Sequence, residues 1–436
     1  MAQVFEKQLV EDIANEFHIN DLANATIGQV VLVASSLEAR TGIPFVRMDQ
    51  GVPGMKACKI GVEAEKKALD SGVAAIYSPA EGIKPFKDEA SRFVKAFLDV
   101  DIAPVSCVPT VGSVLGSFAS FIACCQLDEK KDKVLFIDPG FPIQKSQLNI
   151  MGYGHYQFDI YEFRGEKLKE KLESYLKKGD VSSIIYSNPN NPAWICLTED
   201  ELKTVGELAT KYDVIVLEDL AYMGMDFRRE LGTPFCAPFI PTVAKYTDNY
   251  ILMLSGSKIF SYAGERIAFT AVSNKLFNTT FESLAKRYKT TGHFGSTFTN
   301  AILYMISSGT AHSVQYAMAE MMKASSDGVF NFVEQSREYA RRSNKMKEYF
   351  LANGFHIVYD KDLDEDISDG FFFSIGHKDF TSAELMLELI YYGISSITLT
   401  TTGSLQQGIR ACCSRMSEDM FPILKQRLEQ FAKDHK

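Results

Sequence analysis

Between about residue 105 and residue 275 the chain alternates short apolar runs with amphipathic stretches, and this alternation constrains the fold more than any other feature. The runs are Val134 to Ile137, Ile184 to Tyr186, Val214 to Leu217 and Ile251 to Leu254. Each is short enough for a buried strand. Between them lie stretches with helical spacing, Glu166 to Leu176 and Glu199 to Tyr212; Thr198 followed by Glu201 is a capping-box start for the second. Strand and helix in alternation predict an α/β domain whose mostly parallel sheet is covered on both faces. The flanks read differently. A helical opening and the turn G-V-P-G at 51–54 come first. Residues 325–350 predict one long helix, and Gly370 to Ile375 and Ile397 to Thr401 predict strands before a terminal helix. A chain of 436 residues is long enough for two domains. The expected division is a large domain over 61–324 and a smaller α+β domain from 325–436 joined by the N-terminal segment 1–60.

The net charge of −9 argues against nucleic acid as a partner and suits a cytoplasmic protein. The opening M-A-Q-V-F-E-K-Q-L-V-E-D has no basic start followed by an apolar stretch, so no signal peptide is expected. Residues 102–127 carry no charge but contain Pro104, Pro109, Gly112 and Gly116, which predicts a buried helix rather than a membrane span. Eight cysteines form no C-x-x-C pair, and seven histidines form no H-x-x-x-H. Neither a metal site nor a disulfide framework is expected.

Open α/β sheets bind ligands beyond the carboxyl ends of their strands. After Ile251 to Leu254 comes S-G-S-K-I-F-S-Y-A-G-E-R, 255–266. Lys258 would end a buried strand in a small-residue loop, where desolvation or a nearby cation lowers an amine's pKa from about 10.4 and suits it to a Schiff base. Ser255, Ser257 and Arg266 would hold a phosphate beside it. A solvated loop lysine is the alternative. After Val214 to Leu217 comes E-D-L-A-Y. A carboxylate there needs a cation or donors, and a protonated pyridine nitrogen would serve Asp219; a helix cap or surface ion pair is the plainer account. Tyr222 would donate to a phenolate-type oxygen. Phe141, in D-P-G-F-P, would stack on a planar ring or simply fill the core. Asn191, in S-N-P-N-N-P, would turn its amide to the cleft or merely belong to a turn. P-T-V-G-S-V opens the charge-free helix. Gly112 would let backbone approach a phosphate, with Ser113 and Val114 supplying N–H groups. Two phosphate sites, a stacking aromatic, an amide, a ring-nitrogen carboxylate and a reactive lysine are the parts that hold pyridoxal 5'-phosphate.

With these residues the chain resembles the class I/II aminotransferases, the fold-type I pyridoxal-phosphate enzymes related to aspartate aminotransferase. The resemblance runs from about Gly51 to Arg410 through N-P-N-N-P, E-D-L-A-Y and S-x-S-K followed by G-x-R. It implies a large cofactor-binding domain of the seven-stranded type. It also implies that Lys258 is the Schiff-base lysine and proton shuttle, that Asp219 partners the pyridine nitrogen, and that Asn191 and Tyr222 meet the ring hydroxyl. Phe141 would be the stacking aromatic. Gly112, Ser113, Val114, Ser255, Ser257 and Arg266 would form the phosphate cup. Arg410, in G-I-R-A-C-C-S, would grip the substrate α-carboxylate with its bidentate fork, and Gly51 and Asn191 would line the substrate side. Tyr77, in Y-S-P-A-E-G-I-K-P-F, resembles the tyrosine that reaches the phosphate of a neighbouring subunit, which implies a homodimer with shared active sites.

The chain departs from the family pattern in two places. Ala193 and Trp194 stand where N-P-x-x-P-T-G has Thr and Gly, and T-T-T-G-S-L-Q-Q-G at 400–408 replaces a Pro-Gly-x-x-Phe-Gly stretch that often shapes specificity. A second arginine for a substrate side chain has only Arg287 as a candidate. The expected activity is amino transfer from an L-amino acid to a 2-oxo acid, with a carbon–sulfur β-lyase on the same scaffold as the alternative. A pyridoxal-dependent regulator would need a basic recognition helix, which the residues ahead of Gly51 do not supply. A nicotinamide dehydrogenase would need a G-x-G-x-x-G after a strand, and Gly152 and Gly154 begin one without completing it.

Overall fold

The computed structural model describes residues 3–435. The chain forms two compact units, one of Met1–Gly54, Asn190–Ile195 and Arg337–Lys436, the other of Met55–Pro189 and Cys196–Ser336. The divisions thus fall at 54/55 and 336/337, where the sequence reading put 60/61 and 324/325. That reading had no counterpart for the excursion of Asn190–Ile195 into the smaller unit.

The first strand, β1 (Val46–Arg47), belongs to the smaller unit. The larger unit is built on β2 (Cys107–Val111), β3 (Lys133–Asp138), β4 (Gly154–Asp159), β5 (Val181–Ser187), β6 (Ile215–Asp219), β7 (Tyr250–Ser255) and β8 (Ile267–Val272). They form one seven-stranded sheet in the order β2-β8-β7-β6-β5-β3-β4. Only β8 runs antiparallel to its neighbours β2 and β7. The expected α/β fold with a mostly parallel sheet is therefore present. β5, β6 and β7 are buried along their whole length, which is why the apolar runs Ile184 to Tyr186, Val214 to Leu217 and Ile251 to Leu254 mark them in the sequence.

The charge-free stretch divides into β2 and the helix Gly112–Cys124. This helix shares a core with the sheet through Phe121, Val134, Phe136, Ile185, Leu217, Ile251 and Met253. Small residues let it pack close: a Cβ on Gly116 would lie 3.3 Å from Thr270 Cγ2. Its lack of charge is the mark of burial against a sheet. Among the described residues no helix is long and apolar enough to cross a membrane. The helices Glu166–Leu176 and Glu199–Tyr212 form as read, and both halves of the Thr198/Glu201 capping box are made.

In the smaller unit β14 (Ile397–Thr398), β15 (Ile409–Cys412), β12 (Phe372–His377) and β9 (Phe355–Ile357) form an antiparallel sheet in that order. β1 pairs in parallel with β13 (Ile394–Ser395), and β10 (Lys361–Asp362) with β11 (Glu365–Asp366). Two expectations for the C-terminal third of the chain are corrected. The long helix starts at Phe332 rather than 325. Gly328, at φ +71°, ends the preceding helix His312–Ser326, and the Asn331 side chain accepts from the Glu334 N–H at the new start. The strand expected over 397–401 stops at Thr398. Thr401 and Thr402 hydroxyls donate to the nearby carbonyls of Thr398 and Leu399, at 2.7 and 2.6 Å, and wind the chain into a short 3₁₀ turn instead.

Candidate active site

Strand register gathers the larger unit's candidates at one end of its sheet. Val111, the last residue of β2, pairs with Ile267 at the start of β8. The next residue, Ala268, pairs with Ser255 at the end of β7. The helix start at Gly112, the arginine before Ile267 and the lysine-bearing turn after Ser255 are thereby neighbours. Gly112 sits at φ +71°, and a Cβ added there would overlap the Arg266 guanidinium. Glycine takes this conformation without strain and leaves the guanidinium where it is. Ser113 and Val114 follow in the first turn, half-buried. Arg266 also donates to the Ala263 carbonyl at 3.1 Å. Free N–H groups at a helix start beside a guanidinium make a cradle for a phosphate-sized anion.

Lys258 lies half-buried in the short helical turn Gly256–Ile259. Ser255 caps this turn by accepting from the Ser257 N–H at 3.2 Å. The loop beyond is anchored twice, by the Tyr262 N–H to the Gly256 carbonyl at 3.1 Å and by the Tyr262 hydroxyl to Glu65 Oε2 at 2.6 Å. The lysine therefore projects from a fixed platform.

Asp219 ends β6 and is buried. Burial pushes its carboxyl up to about 6, while the Ala221 N–H on Oδ1 and the Gln144 amide on Oδ2, both at 3.1 Å, pull it part of the way back. A carboxylate so placed favours a cationic partner. Tyr222 is buried in the turn that follows. Gln144 escaped the sequence reading. It lies on the helix Pro142–Met151, whose N-cap is Phe141, so its bond to Asp219 also brings the aromatic's helix to the end of β6. Gln147, one turn on, donates to the Val114 carbonyl at 2.7 Å and accepts from Ser117 at 2.8 Å. Gln144 and Gln147, three apart on the helix, are both buried and both use their amides to tie it to neighbouring elements.

The smaller unit holds the other candidates. Arg410 on β15 is buried, and its guanidinium donates to the Asp49 carbonyl at 2.5 Å and to Asn191 Oδ1 at 3.5 Å. It lies over the Phe372 ring, 4.7 Å from the centroid. Gly51 meets the same ring: a Cβ there would lie 3.0 Å from Phe372 Cζ. Arg410, Asn191 and Gly51, read from three distant parts of the sequence, thus come together around Phe372. Asp49 is fixed by a buried ion pair with Arg47 at 2.8 Å. Arg287 is exposed on the helix Glu282–Tyr288, and Tyr77 is 91% exposed. Among the described residues no cluster of three or more His, Cys, Asp or Glu is arranged to hold a metal ion.

The family model for aminotransferase class I and II matches residues 44–428. The chain belongs to that family. Among curated aminotransferases, it is 27% identical over 231 residues to a probable aspartate aminotransferase of Methanocaldococcus jannaschii, covering 53% of this chain and 58% of that one. It is 31% identical over 227 residues to the glutamate-pyruvate aminotransferase AlaC of Escherichia coli, covering 51% of each. The chain thus spans roughly half of the curated relatives it matches. Its fold is that of aminotransferases in the solved structures. A double mutant of the Thermus thermophilus aspartate aminotransferase aligns with a TM-score of 0.75 at 18% identity, over 94% of this chain and 96% of that one.

Proposed function

We propose that this protein is a pyridoxal 5'-phosphate-dependent aminotransferase that moves an amino group from an L-amino acid to a 2-oxo acid. The observation that carries the reading is the register that brings Gly112, Arg266 and the Lys258 turn to one end of the sheet. The residues fit the cofactor. Gly112, Ser113, Val114, Ser255, Ser257 and Arg266 would hold its phosphate. Asp219 would meet its pyridine nitrogen, Phe141 its ring face, Asn191 and Tyr222 its ring hydroxyl, and Lys258 would bind it covalently through the amine. When bound, the cofactor supplies an electron sink for charge left at the substrate Cα.

The chain's own groups do the rest. Arg410 takes the substrate α-carboxylate in its fork, with Asn191 and Gly51 beside it. Lys258 would remove the Cα proton and return it. Asp219, when ionised, would keep a proton on the pyridine nitrogen. The protein acts as a cytoplasmic homodimer, with Tyr77 reaching the phosphate of the neighbouring subunit. The exposure of Tyr77, together with that of Ile76 at 63%, supports the subunit contact.

The deciding experiment titrates the pyridoxal-phosphate-loaded protein with a panel of amino acids while its visible absorption and released keto acid are followed. Loss of the visible band with one equivalent of keto acid, restored by a second keto acid, is expected. Continuous release of pyruvate and ammonia under a persistent band would make it a β-lyase instead. No visible band after cofactor addition would overturn the cofactor reading itself.

A further inference from the structure

Trp194 stands where the family string carries glycine, and the backbone there is still of glycine type, at φ +66°. A bulky residue in that conformation is strained and persists only where its surroundings hold it. Here they do. The indole is fully buried, and a Cβ on Gly370 would overlap it, so residue 370 must be small to admit the ring. Trp194 packs edge-on against Phe372, with centroids 6.1 Å apart and planes at 69°. Phe371 braces Phe372 from its neighbouring position at 5.0 Å, and Tyr339 braces Phe371 at 4.7 Å. The ring that receives this support is the one on which the Arg410 guanidinium rests, at 4.7 Å.

We propose that Phe372, braced by Trp194, is a positioning residue that holds the Arg410 guanidinium flat for the substrate α-carboxylate. The proposal rests on Arg410 being the carboxylate grip. A guanidinium has five donors and long, flexible torsions, and its fork serves a carboxylate only in one plane. The Asp49 carbonyl and Asn191 amide oxygen take some of its donors. The aromatic face fixes the plane and attracts the cation without competing for hydrogen bonds. Glycine at 194 would relieve the backbone but leave Phe372 without its wall. The chain keeps the strained tryptophan, and the gain is orientation of the arginine.

The test uses pyridoxal-phosphate-loaded protein and whichever of L-aspartate, L-alanine or L-phenylalanine reacts fastest in a single half-reaction. Four proteins are compared: Phe372→Leu, Trp194→Phe, Arg410→Lys and the double variant Phe372→Leu/Arg410→Lys. Two quantities are read, the half-saturation concentration against the limiting rate, and the dissociation constant of the matching amino-free acid (succinate, propionate or 3-phenylpropionate). Phe372→Leu should weaken both half-saturation and acid binding by about 3- to 30-fold, with the limiting rate changed by less. Trp194→Phe should shift the same two quantities in the same direction. In the Arg410→Lys background the effect of Phe372→Leu should largely vanish, because a lysine does not present the planar fork. An equal effect of Phe372→Leu in both backgrounds, or none in either, would overturn the proposal while leaving Arg410 as the grip. No change in acid binding on Arg410→Lys would instead remove the grip on which it rests.

Discussion

At the scale of single residues, Asp219 carries the clearest consequence. Its carboxyl stands at 3.8 in an ordinary setting and is raised by burial to about 6. Between those values the folded protein binds a proton that the unfolded chain releases. This contribution to stability is lost as pH rises through the window, and a cost of about 3 kcal/mol is fully present above it. A bound pyridinium offsets that cost only where Asp219 would otherwise be ionised. Pyridoxal phosphate should therefore raise the melting temperature more at pH 8 than at pH 5, and Asp219→Asn should flatten the difference. Equal shifts in the native protein at both pH values would count against Asp219 as the ring-nitrogen partner. Gln144 is the other test at this scale. Replacing it with Leu removes a donor from a buried carboxylate, worth about 1.5–3 kcal/mol, so cofactor affinity measured by equilibrium dialysis should fall by about 10-fold or more. An unchanged affinity would show that its 3.1 Å bond to Asp219 is incidental. Asp219 was legible in the sequence because a charge closing an apolar run demands a partner. Gln144 was not, because its partner is set by which strands lie side by side, and no local pattern encodes that.

At the scale of elements, the helix that starts at Gly112 is the most exposed to a single change. Gly112→Ala meets a left-handed backbone and the Arg266 guanidinium together. The backbone alone should cost more than about 1 kcal/mol. Displacement of Arg266 should also weaken the binding of inorganic phosphate to the cofactor-free protein, measured by calorimetry. Loss of stability without loss of phosphate binding would mean that the cradle is not where the anion sits. The elements were legible to different degrees for physical reasons. Glu199–Tyr212 carries its own start signal in Thr198 and Glu201, so its bounds could be read directly. The helix from Phe332 starts seven residues later than expected because Ser325 and Ser326 close the preceding helix, and Gly328 and the Asn331 cap separate the two. The threonines after Ile397 favour strands as a residue type, but their hydroxyls found closer partners in the turn.

At the scale of the whole molecule, the alternating pattern was enough to read an α/β sheet, and the candidate residues that follow its apolar runs lie at the strand ends. It was not enough to read that Asn190–Ile195 belongs with the smaller unit, because that follows from tertiary packing of a loop whose residues read simply as a Pro-bracketed turn. The assembly is the remaining step. In the proposed homodimer each active site takes Lys258 from one subunit and Tyr77 from the other, and this arrangement makes a quantitative prediction. Lys258→Ala should be inactive, and Tyr77→Ala should be impaired at limiting cofactor. When equal amounts are unfolded together and refolded, about half of the dimers are mixed, and each mixed dimer holds one site with both residues intact. Activity should then return to about a quarter of the native level at limiting cofactor, above the average of the two parents. Sedimentation of the mixture confirms that dimers have formed. Activity equal to the parental average, with dimers present, would place Tyr77 and Lys258 of one site on the same subunit. A sedimenting monomer with full activity would remove the shared site altogether, and the exposed Ile76 and Tyr77 would then need another partner.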